Sequence, residues 1–86
     1  MEILVNTVIA LENKKKYMVV AKVNYNGDFY DYLLQLNNND ISEHVVIIKE
    51  VNEDGNVYAE QVTDENVLSL LLPLFQHELE EKNDNR

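Results

Sequence analysis

The sequence predicts an α+β fold: an antiparallel meander of about five strands followed by one C-terminal helix. Three observations lead there. Apolar residues recur at every second position over much of residues 3–62, which is the period of a strand. Asn26-Gly27 interrupts that alternation with a dipeptide whose two residues both accept positive φ, the strongest short hairpin signal. From Val67 onward the apolar spacing becomes three and four, the period of a helix.

Residues 3–12 set Ile3, Val5, Thr7, Ile9 and Leu11 on one face against Leu4, Asn6, Val8, Ala10 and Glu12, and read as a first strand. Asn13-Lys14-Lys15-Lys16 is a short polar connection. Residues 17–25 form a second strand, with Tyr17, Val19, Ala21, Val23 and Tyr25 on one face. After Asn26-Gly27 the chain returns over 28–36, where Tyr30, Tyr32, Leu34 and Leu36 share a face. The stretch 37–44 is polar and reads as a loop. Residues 45–51 are dense in β-branched side chains and read as a fourth strand. Glu53-Asp54-Gly55-Asn56 is a turn, and 57–62 a short fifth strand.

Thr63 is expected to cap the helix, with Asp64 and Glu65 in its first turn where the dipole favours acids. The periodicity continues to about Glu81, and Val67, Leu68, Leu71, Leu72, Phe75 and Leu79 make one broad apolar face. Pro73 cannot donate to the Ser69 carbonyl, so a kink, or one helix ending and another starting, is expected there. Leu70 and Leu74 lie off the apolar face. Either a kink rotates them inward or they form the seam of a homodimer, which would help stabilise so small a chain. Residues 1–82 then make a single domain and 83–86 a frayed tail.

Composition narrows function. Eighty-six residues allow one domain, and zero cysteines exclude disulfide scaffolds, thiol catalysis and Cys-ligated metals. Sixteen acids against seven bases give a net charge of −9, which makes nucleic acid a repelled partner. The acid at Glu2 does not suit a signal peptide, and no apolar run approaches the 18 or so residues that span a bilayer. A soluble, cytoplasmic protein is expected, with no membrane partner.

Catalytic and metal patterns are thin. A calcium loop built on Gly55 would place Glu50, Asn52 and Asp54 correctly but puts Gln61 where a bidentate Glu is needed. Ser42, Glu43 and His44 are neighbours, whereas triad members converge from distant segments. Two histidines, His44 and His77, do not suggest a metal site. Five tyrosines on strands could stack on bases, but no cations accompany them to hold phosphates. No enzyme, metal or cofactor is expected.

Charge is unevenly placed. Residues 1–49 carry six acids and five bases, while residues 50–86 carry ten acids and two bases. Acids two apart on a strand or three to four apart on a helix stand about 5–7 Å from one another, close to phosphate spacings. Such a surface would attract a basic groove. Glu50, Glu53, Asp54, Glu60, Asp64, Glu65, Glu78 and Glu81 are the candidate partner-binding residues.

Several segments carry a resemblance: Val8-Ile9-Ala10-Leu11-Glu12, Lys15-Lys16-Tyr17-Met18-Val19-Val20, Asn52-Glu53-Asp54-Gly55, and Val62-Thr63-Asp64-Glu65 leading into 71–81. The chain resembles a family of short acidic proteins of unknown function from low-GC Gram-positive bacteria and their phages. The resemblance implies a strand meander, an acidic turn and an acid-capped C-terminal helix, and no catalytic residues. In size, charge and lack of cysteine the chain is also similar to phage host-takeover proteins that mimic DNA, such as inhibitors of HU-type nucleoid proteins and of CRISPR nucleases. The function expected is therefore an acidic protein-binding module, a DNA-mimic inhibitor that occupies the DNA site of a basic DNA-binding protein. The alternative is an acidic housekeeping adaptor whose charge serves only solubility.

Overall fold

Asn-Gly and Asp-Gly turns set the architecture. In the computed structural model, which describes residues 3–38 and 40–84, Asn26 and Gly27 have φ of 53° and 85°, and Asp54 and Gly55 have 51° and 83°. Positive φ at both central residues is the type I′ geometry whose twist matches paired strands. These turns join β2 (Lys16–Tyr25) to β3 (Asp28–Asn37), and β4 (Asp40–Glu53) to β5 (Asn56–Gln61). With β1 (Val8–Ala10) they form one antiparallel sheet in the order β1-β2-β3-β4-β5. The helix α1 (Glu65–Asp84) follows, and the expected α+β meander is what the chain adopts.

The sheet curls into a half-barrel.

One irregularity governs the packing. Val19 pairs with Leu33 but Ala21 pairs with Tyr32, so Val20 is an extra residue, a bulge in β2. The predicted common face of Tyr17, Val19, Ala21, Val23 and Tyr25 is therefore split between the two sides of the sheet. Tyr17 and Val19 join Leu33, Val46 and Ile48 on one side, covered by Ile3, Val5, Ile9 and Leu11 of the N-terminal segment. Ala21 joins Tyr30, Ile47, Leu71 and Phe75 on the other, with Val23, Tyr25 and Tyr32 packed around them. The sheet is thus buried on both faces, by the N-terminal segment and by α1.

The helix lays Val67, Leu71, Phe75 and Leu79 onto the sheet as expected. Leu71 and Phe75 are fully buried, each stabilising by about 1.5–3 kcal/mol, and the Phe75 ring meets Tyr32 at 5.5 Å, tilted by 58°.

Several expectations about where elements begin and end need correction. The first strand shrinks from residues 3–12 to Val8–Ala10, because Asn6 adopts a φ of 69° and Lys14 N–H turns back to the Leu11 carbonyl. The loop expected at 37–44 is mostly strand: Asn37 pairs with Asp40 and Leu36 with Ile41, and Ser42–His44 bulge out where Ser42 Oγ accepts from His44 N–H. The cap is Asp64, not Thr63. Its Oδ1 accepts from the N–H groups of Asn66 (2.8 Å) and Val67 (3.4 Å), and its carbonyl takes the first helical bond, from Leu68. Of the two alternatives at Pro73, one helix ending and another starting is excluded, since a single helix runs through it; Ser69 and Pro73 both lie on the exposed side, where water can serve the undonated carbonyl. The helix also runs to Asp84, so 83 and 84 belong to it rather than to a tail.

Leu72, Leu70 and Leu74 complete the accounting of the helix. Leu72, assigned by its spacing to the core face, is exposed, as are Leu70 (52%) and Leu74 (37%); nothing rotates them inward.

Candidate functional site

Hairpin geometry distributes the acids. Glu53 and Asp54 stand exposed at the β4–β5 turn. β5 then carries the chain about 20 Å along the sheet, at ~3.3 Å per residue, to exposed Glu60, Asp64 and Glu65. Glu80 is exposed and Glu78 partly so, one to two tens of ångströms further along α1 at ~1.5 Å per residue. The Glu81 side chain lies outside the described residues. Two ion pairs occur among the described residues, Lys22–Glu50 and Lys49–Asp28, so Glu53, Asp54, Glu60, Asp64 and Glu65 all lack a cationic partner there. Asp64 is occupied as the helix cap.

Glu50 does not belong to that surface. It is 7% exposed, and its Oε2 lies 3.0 Å from Lys22 Nζ in an ion pair not aligned as a hydrogen bond. Lys22 in turn stands opposite Asp31 in the β2–β3 ladder, and its Nζ sits 5.1 Å from the centre of the Phe29 ring. Asp31 is fully buried, and neither of its carboxyl oxygens meets a donor.

Two carboxyls and one ammonium packed this closely are neutral only if one acid keeps its proton. Burial pushes the Asp31 carboxyl up to about 8; the neighbouring Glu50 carboxyl pushes the same way, and Lys22 opposes them. Asp31 therefore holds the proton at neutral pH, beside the Glu50–Lys22 contact.

Sequence reasoning missed Lys22 and Asp31 because charged residues on alternating strands are taken as solvent-facing. The signal was present in the turn. A two-residue turn at Asn26-Gly27 pairs Tyr25 with Asp28, and counting outward places Lys22 against Asp31.

A groove of about 540 Å³ opens between the ends of the curled sheet, lined by consecutive residues Ile9–Asn13 on one side and Val57–Ala59 on the other, over Ile48. No group of three or more metal-ligating side chains occurs among the described residues, and no described helix is long and apolar enough to cross a membrane.

Fold and site together define a small acidic half-barrel with an exposed carboxylate surface and a buried carboxyl pair. Comparison with protein families, curated proteins and solved structures finds no match to the chain.

Proposed function

We propose that the chain is an acidic protein-binding module that offers the exposed carboxylates of its second half to a basic DNA-binding protein, occupying the surface where DNA would lie. The observation that carries this reading is the absence, among the described residues, of cationic partners for Glu53, Asp54, Glu60, Asp64 and Glu65, while Lys22 and Lys49 are held by other acids. Carboxylates free of internal pairing and spread along a strand and a helix can meet lysines that otherwise meet phosphates.

The test is competition with duplex DNA for a basic protein such as an HU-type nucleoid protein. Converting those five acids to their amides moves the net charge from −9 to −4 with side-chain shape kept. Binding should then fall by at least about tenfold, and added salt should weaken the unmodified protein in the same way. The amides of Glu2, Glu12 and Asp40 should matter little. Equal effects from both sets, or none from either, would mean that the charge only solvates the protein.

Exposed Leu70 and Leu74, one turn apart on the same side of α1, favour self-association along the helix. A seam there predicts twice the 10.0 kDa chain mass in sedimentation at micromolar concentration, and reversion to single-chain mass in Leu74→Glu. A single-chain mass in the unmodified protein at high concentration removes the seam.

A further inference from the structure

We propose that the groove between β1 and β5 receives an extended peptide as a sixth strand, one that alternates apolar and basic residues. β1 and β5 end the strand order, so each has a neighbour on one side only, and alternate N–H and C=O groups of both point away from the sheet. The lining of the groove shows that these edges face it. Side chains of one strand alternate between faces, yet consecutive residues Ile9, Ala10 and Leu11, and Val57, Tyr58 and Ala59, all border the cavity. Its walls are therefore backbone edges as well as side chains.

Little guards these edges. Natural edge strands are blunted by shortness, Lys, Pro or a covering segment; β1 is short at three residues but uncharged, and the six residues of β5 hold neither Lys nor Pro and one charge, Glu60. Apolar surface from Ile3, Ile9, Leu11, Ile48, Val57 and Ala59 lies between them. A strand seated there pairs with main-chain groups while its alternate apolar side chains enter the groove, the mode of strand addition. Charge selects the rest of the peptide. Among the described residues Glu12 is the one charged residue lining the cavity, and a chain of net charge −9 favours a cationic occupant.

The experiment titrates the ¹⁵N-labelled full chain with an end-capped alternating Lys-Val peptide, about seven residues long to match an ordinary strand. Amide shifts are expected at residues 9–11 and 57–61, with slowed hydrogen exchange at both edges and unchanged α1 signals. Methylating alternate peptide nitrogens should weaken binding at least about tenfold, as should an alternating Glu-Val sequence. Ala59→Arg, at an exposed position bordering the groove, should do the same while leaving α1 signals in place. The five-amide variant should still bind, which separates this groove from the carboxylate surface. Shifts confined to Lys14–Lys16, α1 or the Glu53–Asp54 turn, equal binding of the methylated peptide, loss of binding in the five-amide variant, or no shift at all would overturn the proposal.

Discussion

Asp31→Asn is expected to stabilise the protein, and to do so most above pH 8. The folded Asp31 carboxyl titrates near 8, whereas in the unfolded chain it titrates near 3.9. Between those values the folded state holds a proton that the unfolded state has released, so stability falls as pH rises from about 4 to about 8 and then levels off. Each unit of separation corresponds to about 1.4 kcal/mol, which bounds the total loss at about 6 kcal/mol. Asn presents an N–H donor toward Glu50 without needing a proton, so its stability should be nearly flat over that range. Urea midpoints measured from pH 4 to 9 should therefore converge at the acid end and separate at the alkaline end. Were Asp31 instead ionised and held by Lys22, the unmodified protein would gain stability as pH rises from 3 to 5, and Asn would be the weaker variant throughout.

Phe75→Ala should be the most damaging single truncation. The ring is fully buried between α1 and the sheet and rests against Tyr32. Removing it forfeits the transfer energy of the ring and leaves a cavity that a helix anchored at Leu71 and Leu79 cannot collapse, a loss of about 3–5 kcal/mol. In a chain this small that is a large share of the total. Gln76→Ala, at the next position but exposed, should change stability by less than about 0.5 kcal/mol. Thermal melts of the two variants check the pair. A Phe75→Ala melt close to that of Gln76→Ala would mean that α1 contributes little to holding the sheet.

Strands β2, β3 and β5 were legible to within a residue or so, because their alternation ends at dipeptides that demand positive φ. What escaped depends on partners distant in sequence. The Val20 bulge exists only in the pairing between β2 and β3, and period-two alternation within β2 looks the same with or without it. The strand through Asp40–His44 is polar and non-periodic, and it is held by its pairing with β3 rather than by its own pattern. Among the acids, Glu53, Asp54, Glu60, Asp64 and Glu65 lie on the surface as their charge suggested. Glu50 differs because a lysine from another strand lies beside it, and a carboxylate's neighbours are not written in its own segment.

The bulge at Val20 also bears on how the molecule comes apart. Each face of the sheet carries, among the described residues, only five buried apolar residues in its core cluster, too few to fold alone. Both clusters nevertheless draw on a single strand, through Tyr17 and Val19 before the bulge and Ala21 after it. Releasing the N-terminal segment exposes the start of β2, and releasing α1 exposes its end, so neither layer can open without loosening the anchor of the other. The two layers should behave as one cooperative unit. Amides throughout β2, β3 and the central part of β4 should then exchange with solvent at one common rate, that of global unfolding, rather than in two classes.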